Sequence, residues 1–239
     1  MPKISVITPT VRHDGLPLVA KALSRQTFKE FEWLIVSPTR PQRLFVANRY
    51  IQDPPLTPGD YWTLNKAYNK ALQKARGELI VSWQDYTYAK PDALAKFWTH
   101  YNLDKKKIVS GVGNKYEDNE FIIEKWRDPR MREDQGTFYP CYWMDIEWNF
   151  CAVPKKAIQA VGGFDDRMDK AAGLDALSVN ERINDLGGYD FHIDQTNQSY
   201  SREHSRLKDW AKKNALNGFY EERKEELKQL GLWPVLKTP

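Results

Sequence analysis

The chain predicts an α/β sandwich built on a mainly parallel sheet. Three observations carry this. Buried-strand patterns alternate with helical ones from the N-terminus onward. The first strand–helix–strand passage has the length of an ordinary βαβ unit. The apolar run that starts at Gly77 and continues through Leu79-Ile80-Val81 breaks abruptly into the polar tip Gln84-Asp85-Tyr86, as a buried parallel strand does where it ends at a functional edge.

Taken in order, Ile4-Ser5-Val6-Ile7-Thr8 reads as a first buried strand stopped by Pro9. Leu16, Val19, Ala20 and Leu23 then recur at helical spacing, and Phe31 to Val36 reads as a second strand ended by Ser37-Pro38. A right-handed crossover should make these two strands a parallel pair. Residues 38–60 are rich in proline and aperiodic, and are expected to be mostly loop. A helix is expected over about 62–75, with Leu64, Ala67, Tyr68, Ala71 and Leu72 on one face and Gly77 capping its end. The strand 78–83 follows, then a helix over 92–101 opened by Pro91, then a short strand over 107–112.

Residues 113–145 mix charges, glycine and aromatics without a period, so part of this stretch is expected to be a mobile loop over a site. Residues 148–153 read as a strand. Pro154 opens a helix over 155–161 closed by Gly162-Gly163, a second helix over 174–186 is closed by Gly187-Gly188, and 189–193 form a last strand. From Leu207 the chain turns helical and charged. Leu207, Trp210, Phe219, Tyr220, Leu227 and Leu230 make a broken apolar stripe that should dock on the body.

In the 239-residue chain no apolar run approaches the roughly 18 residues of a membrane span. The N-terminus leads straight into a strand, so no signal peptide is expected. Cys141 and Cys151, without CxxC spacing, point to free thiols and a cytoplasmic setting. The formal charge of +4 suits an anionic ligand such as a nucleotide and is too small to argue for nucleic acid. Nine tryptophans and twelve tyrosines fit an aromatic core better than a stacking surface. Neither a GxGxxG nor a GxxxxGK[ST] loop occurs, which counts against a Rossmann dehydrogenase or a P-loop enzyme. With a parallel sheet, the strand ends at Thr8–Arg12, Ser37–Thr39 and Gln84–Tyr86 should lie side by side, forming a nucleotide-sized cleft.

Ile4–Pro9, Ala22-Leu23-Ser24-Arg25-Gln26-Thr27, Glu32–Val36 and the block from Asn69 to Ile80 resemble family 2 glycosyltransferases of the GT-A fold. So do Trp148-Asn149-Phe150-Cys151-Ala152-Val153-Pro154, Val161-Gly162-Gly163-Phe164-Asp165-Asp166 and the stretch from Leu174 to Arg182, in family order. The resemblance implies a GT-A-type α/β/α sandwich. Residues 1–110 would form its nucleotide-sugar half, 111–204 its acceptor half and 205–239 a C-terminal helical extension. It also implies transfer of a sugar from a nucleotide-diphosphate sugar, most simply a UDP-sugar, to an acceptor hydroxyl with inversion. An acidic base would deprotonate the acceptor, and a divalent cation, Mn²⁺ or Mg²⁺, would hold the diphosphate. The sequence departs from the family at two places. The aspartates of the DxD motif fall on Gln84 and Tyr86, so that only Asp85 is acidic, and the base-contacting aspartate after the second strand falls on Ser37. One carboxylate and an amide make a poor site for a hard cation, which is therefore expected to be weakly bound or dispensable.

On this reading Asp85 is the metal and donor-phosphate residue, or else caps the turn after its strand. Gln84 and Tyr86 are candidates for ribose or sugar hydroxyls, and Thr8, Pro9 and Thr10 for backbone contacts to the nucleoside. Ser37, Arg12 and Lys66 are further donor-site candidates; for either of the last two alone, a solvated surface charge is the favoured reading. Asp175 is the candidate general base, or a helix N-cap. His204 is a possible further metal ligand by resemblance. If its segment is extended, Arg202, His204 and Arg206 share one side and can clamp a diphosphate with bidentate guanidinium forks. Trp143, Asp145, Glu147 and Trp148 form a candidate acceptor pocket or simply line the interior, and Asp145 or Glu147 is the runner-up base. Two rival functions remain: a non-catalytic nucleotide-sugar or glycan binder of the same fold, and a nucleotidyltransferase, against which the absence of a glycine-rich loop after the first strand argues. Glutamates interleaved with the lysines of the tail favour a solvated helix face over a nucleic-acid surface.

Overall fold

The computed structural model describes residues 1–42, 44, 46–53, 55, 63–118, 120–170, 175–202 and 213–236, with side chains from 177 onward in the helix that begins at 175 and from 219 onward in the last helix. Ten strands form one sheet. They are β1 (Ile4–Pro9), β2 (Phe31–Ser37), β3 (Arg49–Gln52), β4 (Leu79–Trp83), β5 (Thr87–Ala89), β6 (Lys107–Tyr116), β7 (Glu124–Trp126), β8 (Phe138–Pro140), β9 (Phe150–Pro154) and β10 (Asp190–Arg202). The order is β3-β2-β1-β4-β9-β6-β10-β5, with β7 on β6 and β8 on β10. β3, β2, β1 and β4 are parallel to one another, and so are β6 and β10. β9 runs antiparallel between β4 and β6, which gives these two groups the same direction. The C-terminal ends of six strands therefore share one edge.

Period-two alternation sorts the strand side chains onto two faces. Ile4, Val6, Trp33, Ile35, Leu79 and Val81 pack with α1 (Leu16–Ser24) and α3 (Ala93–Leu103). Ile7, Leu34, Val36, Ile80, Cys151 and Val153 pack with α2 (Leu64–Lys74), α4 (Lys155–Ala160) and α5 (Asp175–Leu186). Two cores on one sheet make the α/β/α sandwich. Both cysteines are free, and burial pushes the Cys141 thiol up to about 12. Among the described residues no helix is long and apolar enough to cross a membrane.

Several expectations are corrected. The 38–60 stretch contains β3, an edge strand whose exposed–half-buried–half-buried–exposed pattern carries no core signal. Gly77 does not cap α2, which ends at Lys74 with Ala75 extended behind it. A Cβ at Gly77 would lie 2.5 Å from the carbonyl carbon of Ile4 and from Ser5 N, so this glycine is there for a close approach to β1. The 113–145 stretch holds the end of β6, β7, β8 and a 3-10 turn at Trp143–Asp145; strands of three residues are too short to display a period. The last strand runs to Arg202 rather than stopping at 193, with an irregularity between Asp194 and Gln198. Gly162-Gly163 and Gly187-Gly188 do take the left-handed backbone expected after α4 and α5.

The tail helix α6 (Lys213–Gln229) docks on the body through polar contacts more than through a stripe. Tyr220 and Leu227 are buried, whereas Leu230 is exposed. Arg223 grips the buried Asp165 carboxylate at 2.7 and 3.3 Å, Lys224 reaches Glu181 at 2.6 Å, and the Tyr220 hydroxyl donates to Glu181. Leu207 and Trp210 lie outside the described residues.

Candidate functional site

The ends of β2, β1 and β4 are adjacent at the C-terminal edge, as the parallel sheet required. Thr8 is committed to the interior: its hydroxyl donates to the Trp83 carbonyl at 2.7 Å and accepts from Trp33 Nε1 at 3.0 Å. Pro9 pairs with Val36, and the Thr10 N–H donates to the Val36 carbonyl, so these backbone groups hold β2. The Thr10 hydroxyl turns to the tip and donates to Asp85 Oδ2 at 2.5 Å.

Asp85 is buried and faces Arg12. The guanidinium donates from Nε to Oδ2 at 3.2 Å and from Nη2 to Oδ1 at 2.9 Å, a bidentate pair across the β1 and β4 ends. Tyr86 follows with φ of 59°, an unusual backbone for a bulky residue. Gly15 permits it, since a Cβ there would lie 2.6 Å from the Tyr86 ring and backbone nitrogen. The Arg12 and Arg202 guanidinium carbons lie 5.3 and 4.8 Å from the Tyr86 ring centroid, and the Arg202 N–H donates to the Tyr86 carbonyl at 3.1 Å. Burial, then a hydrogen bond to Asp14, pushes the Tyr86 phenol up to about 12; the same bond holds the Asp14 carboxyl below its usual range. Asp14 also stands 3.7 Å from Arg202. The Gln84 N–H donates to the Asn149 carbonyl at 3.0 Å, which ties the tip to the start of β9.

Ser37 is buried, with its hydroxyl 2.7 Å from His13 Nε2. Its carbonyl accepts from the Asp53 N–H at 2.9 Å. Asp53 lies just past β3, in a stretch whose prolines and lack of period carry no strand signal. Its Oδ2 accepts from Thr63, its Oδ1 is buried with no hydrogen-bond partner among the described residues, and desolvation holds its carboxyl above the usual range against the pull of Lys70 and Lys66. Lys66 lies in the first turn of α2. That turn is held by buried Asp169, which accepts from Asn65 N at 2.7 Å and Lys66 N at 3.3 Å and is pushed up to about 6 by burial.

Of the expected acceptor-pocket residues, Trp148 is a core residue rather than a surface platform. It is 4 % exposed, donates from Nε1 to Asn180 at 2.9 Å, and sits edge-on to Tyr68 and Phe164. Trp143 is half-buried, and its carbonyl accepts from Asn180. Asp145 caps its own turn through the Tyr142 N–H at 3.0 Å. Glu147 is exposed and accepts from Asn149 Nδ2 at 2.8 Å.

Arg130, unmarked in the sequence, organises this group. It binds buried Asp128 through Nε at 2.9 Å and Nη2 at 2.5 Å. Nη1 donates to the Ser110 hydroxyl at 3.0 Å and the Asp145 carbonyl at 2.7 Å, and Glu147 lies 3.4 Å away. Its only signal was an Asp-Pro-Arg triplet in an aperiodic stretch. Asp175 is the first residue of α5, and its side chain is outside the described set. α5 ends just before β10 starts at the opposite edge of the sheet, where Asp190 pairs with Lys107. Its twelve residues rise about 18 Å from there, which carries the Asp175 end toward the edge that holds Asp85. His204 and Arg206 lie outside the described residues.

A divalent cation does not fit the donor set. Asp85 is a single carboxylate with both oxygens engaged by Arg12 and Thr10, where a hard cation needs several free oxygens. Among the described residues, no group of three or more His, Cys, Asp or Glu side chains is placed to hold a metal ion.

No family model matches the sequence, and no curated protein matches it. Solved structures do match. Staphylococcus aureus TarS residues 1–349 in complex with UDP superposes with a TM-score of 0.62 at 14% identity, over 84% of this chain and 60% of that one. TarS 1–349 in complex with UDP-GlcNAc gives 0.61 at 14%, over 85% and 59%, and TarS 1–349 alone gives 0.60 at 13%, over 84% and 60%. The fold is a GT-A-type glycosyltransferase fold. The chain spans about 60% of the length of these structures. In this GT-A sandwich, the edge that carries Thr10, Ser37 and Asp85 lies outside the carboxyl ends of the parallel strands, where open α/β sheets take their ligands.

Proposed function

We propose that the chain is a glycosyltransferase that moves a sugar from a nucleotide-diphosphate sugar, a UDP-sugar by analogy with the TarS complexes, to an acceptor hydroxyl with inversion. The observation that carries this reading is the convergence of the β2, β1 and β4 ends, which brings Ser37, Thr10, Arg12 and Asp85 to one edge. Residues 1–110 supply the donor half. Asp53 accepts a hydrogen bond from the nucleoside through its buried Oδ1, with Ser37 beside it, and Arg12, Lys66, Arg202 and Arg206 are the groups that bind the diphosphate. Residues 111–204 supply the acceptor half, with Trp143, Asp145 and Glu147 near the incoming hydroxyl. The tail from 205 braces α5.

In the reaction, Asp175 takes the acceptor hydroxyl proton as the oxygen attacks the anomeric carbon. The bond from that carbon to the diphosphate breaks on the opposite face, and the electron pair leaves with the diphosphate. The Arg12–Asp85 pair favours a second reading, a binder without turnover, because it occupies the carboxylate on which a metal-dependent transfer would draw. Titrating the protein with UDP, GDP, CDP and TDP and following hydrolysis of UDP-GlcNAc tests both. Binding of one nucleotide with slow hydrolysis supports the transferase; binding without turnover on any donor supports the binder. No nucleotide binding at all overturns both donor readings.

A further inference from the structure

We infer that Arg12 takes the place of the divalent cation: the chain binds a nucleoside diphosphate without metal, and Asp85 serves to aim Arg12 rather than to ligate an ion. This rests on the donor-site reading above and narrows its chemistry.

The argument starts from Asp85. A carboxylate has about four lone-pair positions. Three at Asp85 are used, by Arg12 Nε, Arg12 Nη2 and the Thr10 hydroxyl. The carboxylate is 4 % exposed and the guanidinium 25 %, so the charge pair is shielded from water on the carboxylate side and open on the arginine side. A metal ion approaching Asp85 would have to displace the guanidinium and then sit beside it, cation against cation. The flanking positions give it no help, since Gln84 is an amide and Tyr86 a phenol whose burial and bond to Asp14 keep it protonated.

Tyr86 has a second role. Its left-handed backbone turns the ring so that Arg12 and Arg202 both lie against it, which draws guanidiniums from the β1 loop and from the end of β10 to one tip. The Arg202 N–H to Tyr86 carbonyl bond fixes that arrangement. Among the described residues, the charges around the tip are Arg12 and Arg202 on one side, and Asp14 and Asp85 on the other. The acids nearly balance the arginines, so the tip holds a diphosphate by directed N–H donation from planar forks more than by a strong net field.

The test is titration of the full chain with UDP in Mn²⁺ and in EDTA, on the wild type and on Arg12→Ala, Asp85→Asn and the double variant Arg12→Ala/Gln84→Asp. The wild type is expected to bind UDP with the same Kd, within about twofold, in both buffers. Arg12→Ala should lose roughly 10- to 100-fold of affinity in EDTA, as befits loss of a charge-assisted contact. Asp85→Asn should lose less, because Arg12 remains but is aimed less well. The double variant frees Asp85 and adds a second carboxylate beside it, and Mn²⁺ should raise its affinity where it does not raise that of the wild type. A wild-type affinity that collapses in EDTA overturns the inference while leaving the donor-site reading intact, as does an Arg12→Ala variant that binds UDP normally. Absence of UDP binding in either buffer overturns both. The wild-type comparison needs no variant to fold.

Discussion

Replacing Arg130 by methionine keeps the aliphatic volume and removes the charge, leaving Asp128 buried at 1 % exposure without its partner. Breaking a buried pair by deleting one member costs about 3–5 kcal/mol. For a domain of this size each kcal/mol moves the midpoint by roughly 2–4 °C, so differential scanning fluorimetry should show a fall of about 6–20 °C near neutral pH. The pH dependence gives a sharper reading. In the wild type, desolvation of Asp128 is outweighed by Arg130 and by the Gly113 and Arg130 N–H groups, which hold its carboxyl below the usual range. Its contribution is therefore present above the unfolded pKa and lost as pH falls through the folded one. In the variant, desolvation is opposed only by the backbone donors, the carboxyl rises above its unfolded value, and acid relieves the charge. The gap between wild type and variant should narrow between about pH 7.5 and pH 5. The same change frees the Asp145 carbonyl and Glu147, so acceptor KM should rise. A gap below about 1 °C, or one that widens on acidification, would refute the assignment of Arg130 as the organiser of this side.

Asp53→Asn should weaken UDP binding by roughly tenfold or more without lowering the melting temperature. Burial holds the Asp53 carboxyl above its usual value, so its charge costs stability as pH rises through the unfolded pKa, and the amide removes that cost. Unchanged UDP affinity in calorimetry would take Asp53 out of the donor site. Asp175→Asn should slow transfer by at least about 100-fold, measured as released UDP, with UDP affinity unaltered; a variant with normal turnover would move the base to Asp145 or Glu147. Arg223→Ala leaves Asp165 buried and unpaired and should cost about 3 kcal/mol in urea unfolding. A cost under about 0.5 kcal/mol would mean the tail is not held by this pair.

Strands β1, β2 and β4 were legible because each is buried on both faces and carries a dense apolar run. β1, β2 and β4 have no solvent face to blur the pattern. β3 was not legible because an edge strand of four residues buries none of them. At the site, position could be read and partnership could not. Asp85 stood out as the acidic residue at a strand end, but its binding to Arg12 depends on β1 lying beside β4, which local spacing cannot state. Trp148 was offered as a sugar platform from its type and neighbours, and its burial comes from Asn180 on a helix far along the chain. Asp128 and Arg130 sat in a stretch whose lack of period hid a tightly bonded pair. Hydrogen bonds leave no periodicity, so the residues that hold this site by polar contacts are those a pattern reading passes over.

The short strand after the tip has a topological consequence. Among the described residues β5 pairs only with β10, Ala89 with Ser199 and Thr87 with Ser201, over a hundred residues later in the chain. Such a loop is among the last to close in any folding order, since its closure entropy must be met before the contact is gained. During synthesis the segment that shapes Tyr86 waits, with its edge unpaired, until β10 has emerged. A fragment cut at residue 110 would keep β1, β2 and β4 but would lack both the strand that pairs with β5 and the arginine that bonds to Tyr86. The stretch 1–110 is thus a region of the sequence without being an autonomous unit: the tip around Tyr86 is finished from the other end.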